Sequence, residues 1–145
     1  MTNDSEYKEN SQAVQAHLGI TQSVIQRMAS NSASCKAWCI TLVSAILVIV
    51  ADKGNPQYVL FALIPNLLFL ILDTYYLALE KMFRVSYNMF IDKLHNRELV
   101  ASDLYAVSPS GSMFRTFFNA LFSFSIWPFY LTLLAMVWIA RVLVI

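Results

Sequence analysis

The sequence predicts an all-α membrane protein: a long antiparallel helical hairpin with cytoplasmic extensions, followed by a third transmembrane helix. Two observations lead there. Hydrophobic residues make up 58% of the 145-residue chain and charged ones only 13%, against about a quarter charged in soluble domains. Three stretches, Ala37–Ala51, Gly54–Leu72 and Thr116–Ala140, hold no charged side chain at all. A helix rises about 1.5 Å per residue, so about 20 apolar residues cross the roughly 30 Å hydrocarbon layer, and the second and third stretches meet that length unaided. The first meets it once Ser32–Cys35 and the aliphatic stem of Lys36 are counted, since a boundary lysine can extend its amine into the headgroups.

Residues 1–12 read as a polar tail. The first 34 residues are polar and lack an apolar core followed by a small-residue cleavage site, so no cleavable signal peptide is expected and the first span is expected to serve as an uncleaved anchor. Beyond the tail, Val14, Leu18, Thr21, Ile25, Met28, Ser32, Cys35 and Cys39 recur at alternating threes and fours, the seam of one helix face. The seam predicts a single long helix to Ala51, with Gly19 as the one point for a kink. Gly54 followed by Pro56 stops it, and so short a link forces an antiparallel return. The second helix is expected from Pro56 with a mild bend at Pro65, where the carbonyl of Phe61 loses its partner. It continues past Leu72 to Leu94. Residues 13–94 thus form the hairpin, with spans at about 34–51 and 56–74. Residues 95–115, with the loop Val107–Ser112, read as a cytoplasmic linker, and 116–145 as the third transmembrane helix, bent at Trp127-Pro128.

Orientation follows from the basic residues beside the spans. Lys8, Arg27 and Lys36 precede the first, and Lys81, Arg84, Lys93, Arg97 and Arg115 lie between the second and third; only Lys53 and Arg141 fall on the other side. The amino terminus and the segment Asp73–Arg115 are therefore expected in the cytoplasm. Trp38, Tyr75 and Tyr76 then sit at the cytoplasmic headgroup level, and Lys36 and Asp73 at the same boundary.

A hairpin turning near Gly54 brings Lys36 opposite Asp73 and Arg27 opposite Glu80, but helical phase does not permit both pairs. Lys36 lies at the edge of the seam, so Lys36–Asp73 is the expected salt bridge, with Arg27 directed toward another subunit. The alternative is that each charge snorkels separately to headgroups. Glu80 and Arg84 form an exposed i,i+4 pair. Small or polar residues line one side of the first span (Ser34, Ala37, Thr41, Ser44, Ala45) and one side of the third (Thr116, Asn119, Ala120, Ser123). In lipid such stripes face protein, because close backbone approach and hydrogen bonds replace the hydrophobic drive. Asn66, the most polar side chain at depth in the hairpin, either makes an interhelical hydrogen bond or lines a wet crevice.

Net charge is +1, which gives no case for nucleic acid as a partner. Two cysteines, Cys35 and Cys39, are too few for a structural zinc site, and their i,i+4 spacing is poor disulfide geometry, so they read as small side chains at a helix contact. With three glycines there is no phosphate loop, and no nucleophile–base arrangement is visible. No catalytic activity and no cofactor are expected.

Two motifs carry a resemblance. Ile25-Gln26-Arg27-Met28-Ala29-Ser30-Asn31-Ser32 is followed by Lys36-Ala37-Trp38 and Thr41–Ala45; Leu72-Asp73-Thr74-Tyr75-Tyr76-Leu77 is followed by Glu80, Phe83, Arg84 and Tyr87. Together, over about Leu18–Lys93, they resemble a family of small, mostly uncharacterised bacterial membrane proteins with a long-helix hairpin. That family's usual glycine after the lysine is replaced here by Ala37. Its members look similar to the small membrane effectors of bacterial anti-phage defence systems. The resemblance implies a bacterial inner-membrane location and a homo-oligomer in the bilayer. It also implies an action that perturbs or permeates the membrane, and the cytoplasmic helix extensions offer a surface for a cytosolic partner protein or small-molecule signal. The alternative is a non-pore accessory subunit that anchors or regulates a partner.

Overall fold

The computed structural model describes residues 7–143, apart from the Pro56 side chain. The first part of the expected tail, residues 1–6, and the end of the expected third helix, residues 144–145, lie outside the described residues. The fold is all-α. Helix α1 spans Gln12–Lys53 and a 3₁₀ segment Pro56–Ala62 follows; then come α2, Leu63–His95, a short α3, Ala101–Tyr105, α4, Met113–Leu121, and α5, Trp127–Leu143. Helix α1 and the stretch Gln57–His95 are both long and apolar enough to cross a membrane, and α5 is a shorter apolar helix.

Local chemistry explains the ends. Ser11 caps α1, its hydroxyl accepting from the Val14 amide, one of the four donors a helix start leaves without a partner. The helix passes Gly19 without interruption and ends where Gly54 takes a left-handed conformation (φ 62°) and returns its amide to the Val50 carbonyl. Asn55 caps the next segment by accepting from the Gln57 amide. That segment is 3₁₀ rather than the α-helix expected from Pro56. Pro65 has no N–H to offer the Phe61 carbonyl, and the tighter ladder here satisfies it locally, the Leu63 amide donating to Leu60 and Phe61.

The seam on α1 is the face that packs along α2: Val14, His17, Thr21, Ile25, Ser32, Cys35, Cys39, Val43 and Val50 are buried. Two cores result. One holds Cys39, Val43, Val50, Val59 and Ala62 with Ile126, just before α5, and Tyr130, Leu133 and Val137 of α5. The other, at the opposite end of the hairpin, holds Val14, Phe90 and Leu94 with Tyr7, Leu18, Leu99 and Leu104 around them. This second end is the head.

The third apolar stretch departs from the sequence reading. It is two helices, and the break falls at Phe122–Ile126 rather than at Trp127-Pro128. Ser123 makes the break: its carbonyl accepts from the Ile126 and Trp127 amides, and its hydroxyl accepts from the Ser125 amide. Such a turn competes directly with helix. Pro128 then occupies the first turn of α5, where a missing N–H costs nothing.

Candidate functional site

The hairpin, α5 and a buried carboxylate meet at one point. Asp73 of α2 is fully buried and receives three donors. Lys36 Nζ of α1 lies 2.5 Å from its Oδ2, the Ser32 hydroxyl one turn earlier donates to Oδ1, and the Tyr130 hydroxyl of α5 donates to Oδ2 at 3.2 Å. Tyr130 also reaches the Phe69 carbonyl at 3.0 Å. Helical spacing makes this possible. Ser32 and Lys36 are stacked i,i+4 on α1, and Phe69 and Asp73 i,i+4 on α2, so each pair offers two polar atoms to one partner. A buried carboxylate is tolerable only when its lone pairs are filled.

Toward the hairpin tip the polar column continues weakly. Cys39 Sγ lies 3.8 Å from Asn66 Oδ1 and 3.9 Å from the Pro65 carbonyl. Asn66 is fully buried and its Nδ2 has no hydrogen-bond partner among the described residues. Both cysteines are free and buried.

The other proposed contact residues are placed differently. Ser44 and Ala45 are exposed, with Ser34, Ala37 and Thr41, on the side of α1 turned away from α2. Arg27 is exposed and makes no ion pair among the described residues. Glu80 accepts from Arg84 at 2.8 Å. The stripe expected on the third helix does not exist as one face: Ala120 is buried where α4 packs on α2, Asn119 is exposed, and Ser123 builds the turn. Thr116, Asn119 and Ala120 share the continuous helix α4, and only Ser123 falls beyond its end, in the turn.

The head contains a second constellation, which sequence reasoning missed. His17 stacks on Phe90 with ring centroids 4.2 Å apart, and its Nδ1 donates to the Leu104 carbonyl at 3.1 Å. Lys93 binds Asp103 at 2.9 Å. The Ser86 hydroxyl lies 2.6 Å from the Ser108 carbonyl and 2.8 Å from the Ser110 hydroxyl. These contacts strap residues 101–110 across the head and leave a cleft of about 180 Å³ lined by His17, Thr21, Ser86, Phe90, Lys93 and Asp103 among others. The hydrogen bond from Lys93 holds the Asp103 carboxyl below its ordinary value; partial burial opposes this, while the Val100 amide and the nearby positive charges reinforce it. No group of three or more metal-ligating side chains occurs among the described residues.

Comparisons with protein-family models, with curated proteins and with solved structures gave no match.

Proposed function

We propose that the chain is a multi-pass inner-membrane effector of a bacterial anti-phage defence system. Its amino terminus and head lie in the cytoplasm, and α1, the stretch Gln57–Leu72 and α5 cross the bilayer. In this reading the head receives a signal, from a cytosolic partner protein or a small molecule, and the apolar half self-associates and perturbs the membrane. One observation carries it: α1 and α2 run unbroken from the head cleft, past the Asp73 node, into an apolar half where α1 exposes the small or polar Thr41, Ser44 and Ala45 among large apolar side chains. Two continuous helices transmit a displacement at one end to the other, and these small residues permit close approach of a second copy. The defence setting rests on the resemblance of the Arg27–Lys36 and Asp73–Arg84 motifs.

A second reading, a non-pore accessory subunit, has its own support. Asn66, Asp73 and Thr74 are buried inside the protomer, so the strongest polar groups of the apolar half are not on an outer face where they could line a channel.

The test is expression in a bacterial host while membrane potential is followed, with crosslinking in native membranes. The effector reading expects depolarisation, a crosslinked ladder, and loss of both in Ser44→Leu or Ala45→Leu with insertion intact. An uncrosslinked, monomeric chain that leaves the potential unchanged favours the accessory subunit.

A further inference from the structure

The sequence puts the edge of the hydrocarbon at Lys36 and Asp73. That placement leaves α1 short: Ala37–Ala51 covers roughly 22 Å at 1.5 Å per residue, against a layer of roughly 30 Å. The helices supply what is missing on the head side of the node: Met28–Ala51 rises roughly 36 Å along its axis, which a tilt of roughly 30° fits to the layer. Helix α1 carries no charge from Met28 to Cys35, α2 none from Thr74 to Leu79, and α4 none from Thr116 to Leu121.

These three segments lie side by side. The Ser110 amide donates to the Met82 carbonyl just before α4 begins, and Tyr130, in the first turn of α5 beyond the Ser123 turn, reaches Asp73. The nine residues of α4 rise roughly 13 Å, the same as the nine steps of α2 from Met82 back to Asp73. Helix α4 therefore runs antiparallel to α2 and fills the band between the node and the exposed charges Arg27, Arg84 and Arg115; at the head-side end of that band α2 also carries Glu80, paired with Arg84, and Lys81, both half-buried.

Its outer face is a ridge of aromatic rings. Phe114, Phe118 and Phe122 follow one another at i,i+4,i+8 with 75%, 44% and 67% of their surface exposed, and Phe124 is 90% exposed. Ala120 takes the inner face against α2. The ridge joins the apolar exterior of the other helices, since Phe122 stacks on Trp127 of α5 with centroids 6.1 Å apart. Rings of this size on a water-facing helix would leave a large apolar patch uncovered. Arginines at its head-side end suit anionic headgroups.

We propose that the apolar layer of the bilayer reaches the level of Arg27, Arg84 and Arg115, so that the α4 phenylalanine ridge faces lipid and the Lys36–Asp73–Tyr130 node lies inside the layer. The node then sits roughly 13 Å in from the first exposed charges. Its ion pair is an intramembrane one, in surroundings where an unpaired charge has no water to turn to. This rests on the membrane reading given above and revises only its depth.

Site-directed nitroxide labelling tests the two separately. Full-length protein with Cys35 and Cys39 replaced by alanine is labelled singly at Phe118, at Leu68 or at Asp92, all exposed. It is reconstituted in phosphatidylethanolamine–phosphatidylglycerol vesicles, where collision with oxygen reports the apolar layer and collision with a nickel chelate reports water. The oxygen-to-nickel ratio at Phe118 is expected within about twofold of Leu68 and about tenfold above Asp92. A Phe118 ratio equal to that of Asp92, with Leu68 still favouring oxygen, overturns the depth assignment and leaves the membrane reading standing. A Leu68 label open to nickel overturns both. Exclusion of both reagents at Phe118 also overturns it, in favour of a second copy covering the ridge. A second label at Phe122, exposed on the same ridge and further from Arg115, guards against local distortion: agreement of both sites with Leu68 is required.

Discussion

The Tyr130 hydroxyl donates to Asp73 Oδ2 across 3.2 Å, and so ties α5 to a carboxylate that already binds α1. Apart from the same hydroxyl's hydrogen bond to the Phe69 carbonyl, α5 meets the hairpin through apolar side chains such as Leu133 and Val137. Such packing sets distance but not register, because apolar side chains slide past one another at little cost; a directed hydrogen bond fixes the helix along its axis.

Replacing Tyr130 by Phe keeps the ring and deletes only the donor. The expected loss is about 1–2 kcal/mol, the range for a hydrogen bond to a charged group reduced by the competition that membrane segments find elsewhere. Hydrogen exchange should rise in α5 amides and leave those of Val14–Ile25 in the head unchanged. Equal acceleration in both regions would mean that the node stabilises the whole fold rather than the docking of α5.

Lys36→Met leaves Asp73 with two neutral donors and no cation. Removing one partner of a buried pair costs about 3–5 kcal/mol, whereas replacing both by apolar groups is often near neutral. The double substitution Lys36→Met with Asp73→Leu is therefore expected to recover most of what the single one loses, read by equilibrium unfolding in mixed micelles. Additive losses in that double-mutant cycle would mean the two side chains are energetically independent despite their 2.5 Å contact.

How much of this was readable from residues alone differs by element. The hairpin was legible because each signal is local: an apolar seam of alternating threes and fours, then Gly54 and Pro56. The opposition of Lys36 and Asp73 follows from the same turn by counting residues. Tyr130 was not legible as their third partner, since the phase and height at which α5 docks depend on the Ser123 turn. Ser123 looks like any small residue in an apolar run until its hydroxyl and carbonyl are seen collecting three amides. The head cleft was hidden for a related reason. His17 and Phe90 belong to two seams, and Leu104 and Asp103 reach them from a segment whose sequence carries only loop signals.

Two residues share one backbone conformation with opposite chemistry. Gly54 has φ 62° and Arg97 has φ 59°, a region that costs an L side chain roughly 1–2 kcal/mol. No atom would obstruct a Cβ at Gly54 within 4 Å, so Gly54→Ala should lose only that strain, about 1 kcal/mol. Arg97→Gly should gain a similar amount, offset by the extra freedom of glycine when unfolded. Thermal unfolding midpoints that move in opposite directions would bear this out; a drop for both would show that Arg97 contributes through its side chain.

The head strap should respond to acid. Asp103 is held below its ordinary carboxylate value of 3.8, first by the Lys93 hydrogen bond. A depressed folded value means that the carboxylate stabilises the closed strap in full above the unfolded value, and that this contribution is lost as pH falls through the lower folded one. The window therefore lies below about pH 4 and not near neutrality. Amide exchange of Ala101–Tyr105, corrected for its intrinsic pH dependence, reads it directly: protection should hold from pH 7 to about 4.5 and fall below. Glu9 and His95, 3.8 Å apart and mostly exposed, form a second contact near the head, so the decisive comparison is Asp103→Asn. That variant keeps a hydrogen-bond acceptor but no charge, and should show weaker protection at pH 7 with no further loss on acidification. If Asp103→Asn retains the acid step, the strap is governed by another carboxyl and the Lys93–Asp103 pair is not its latch.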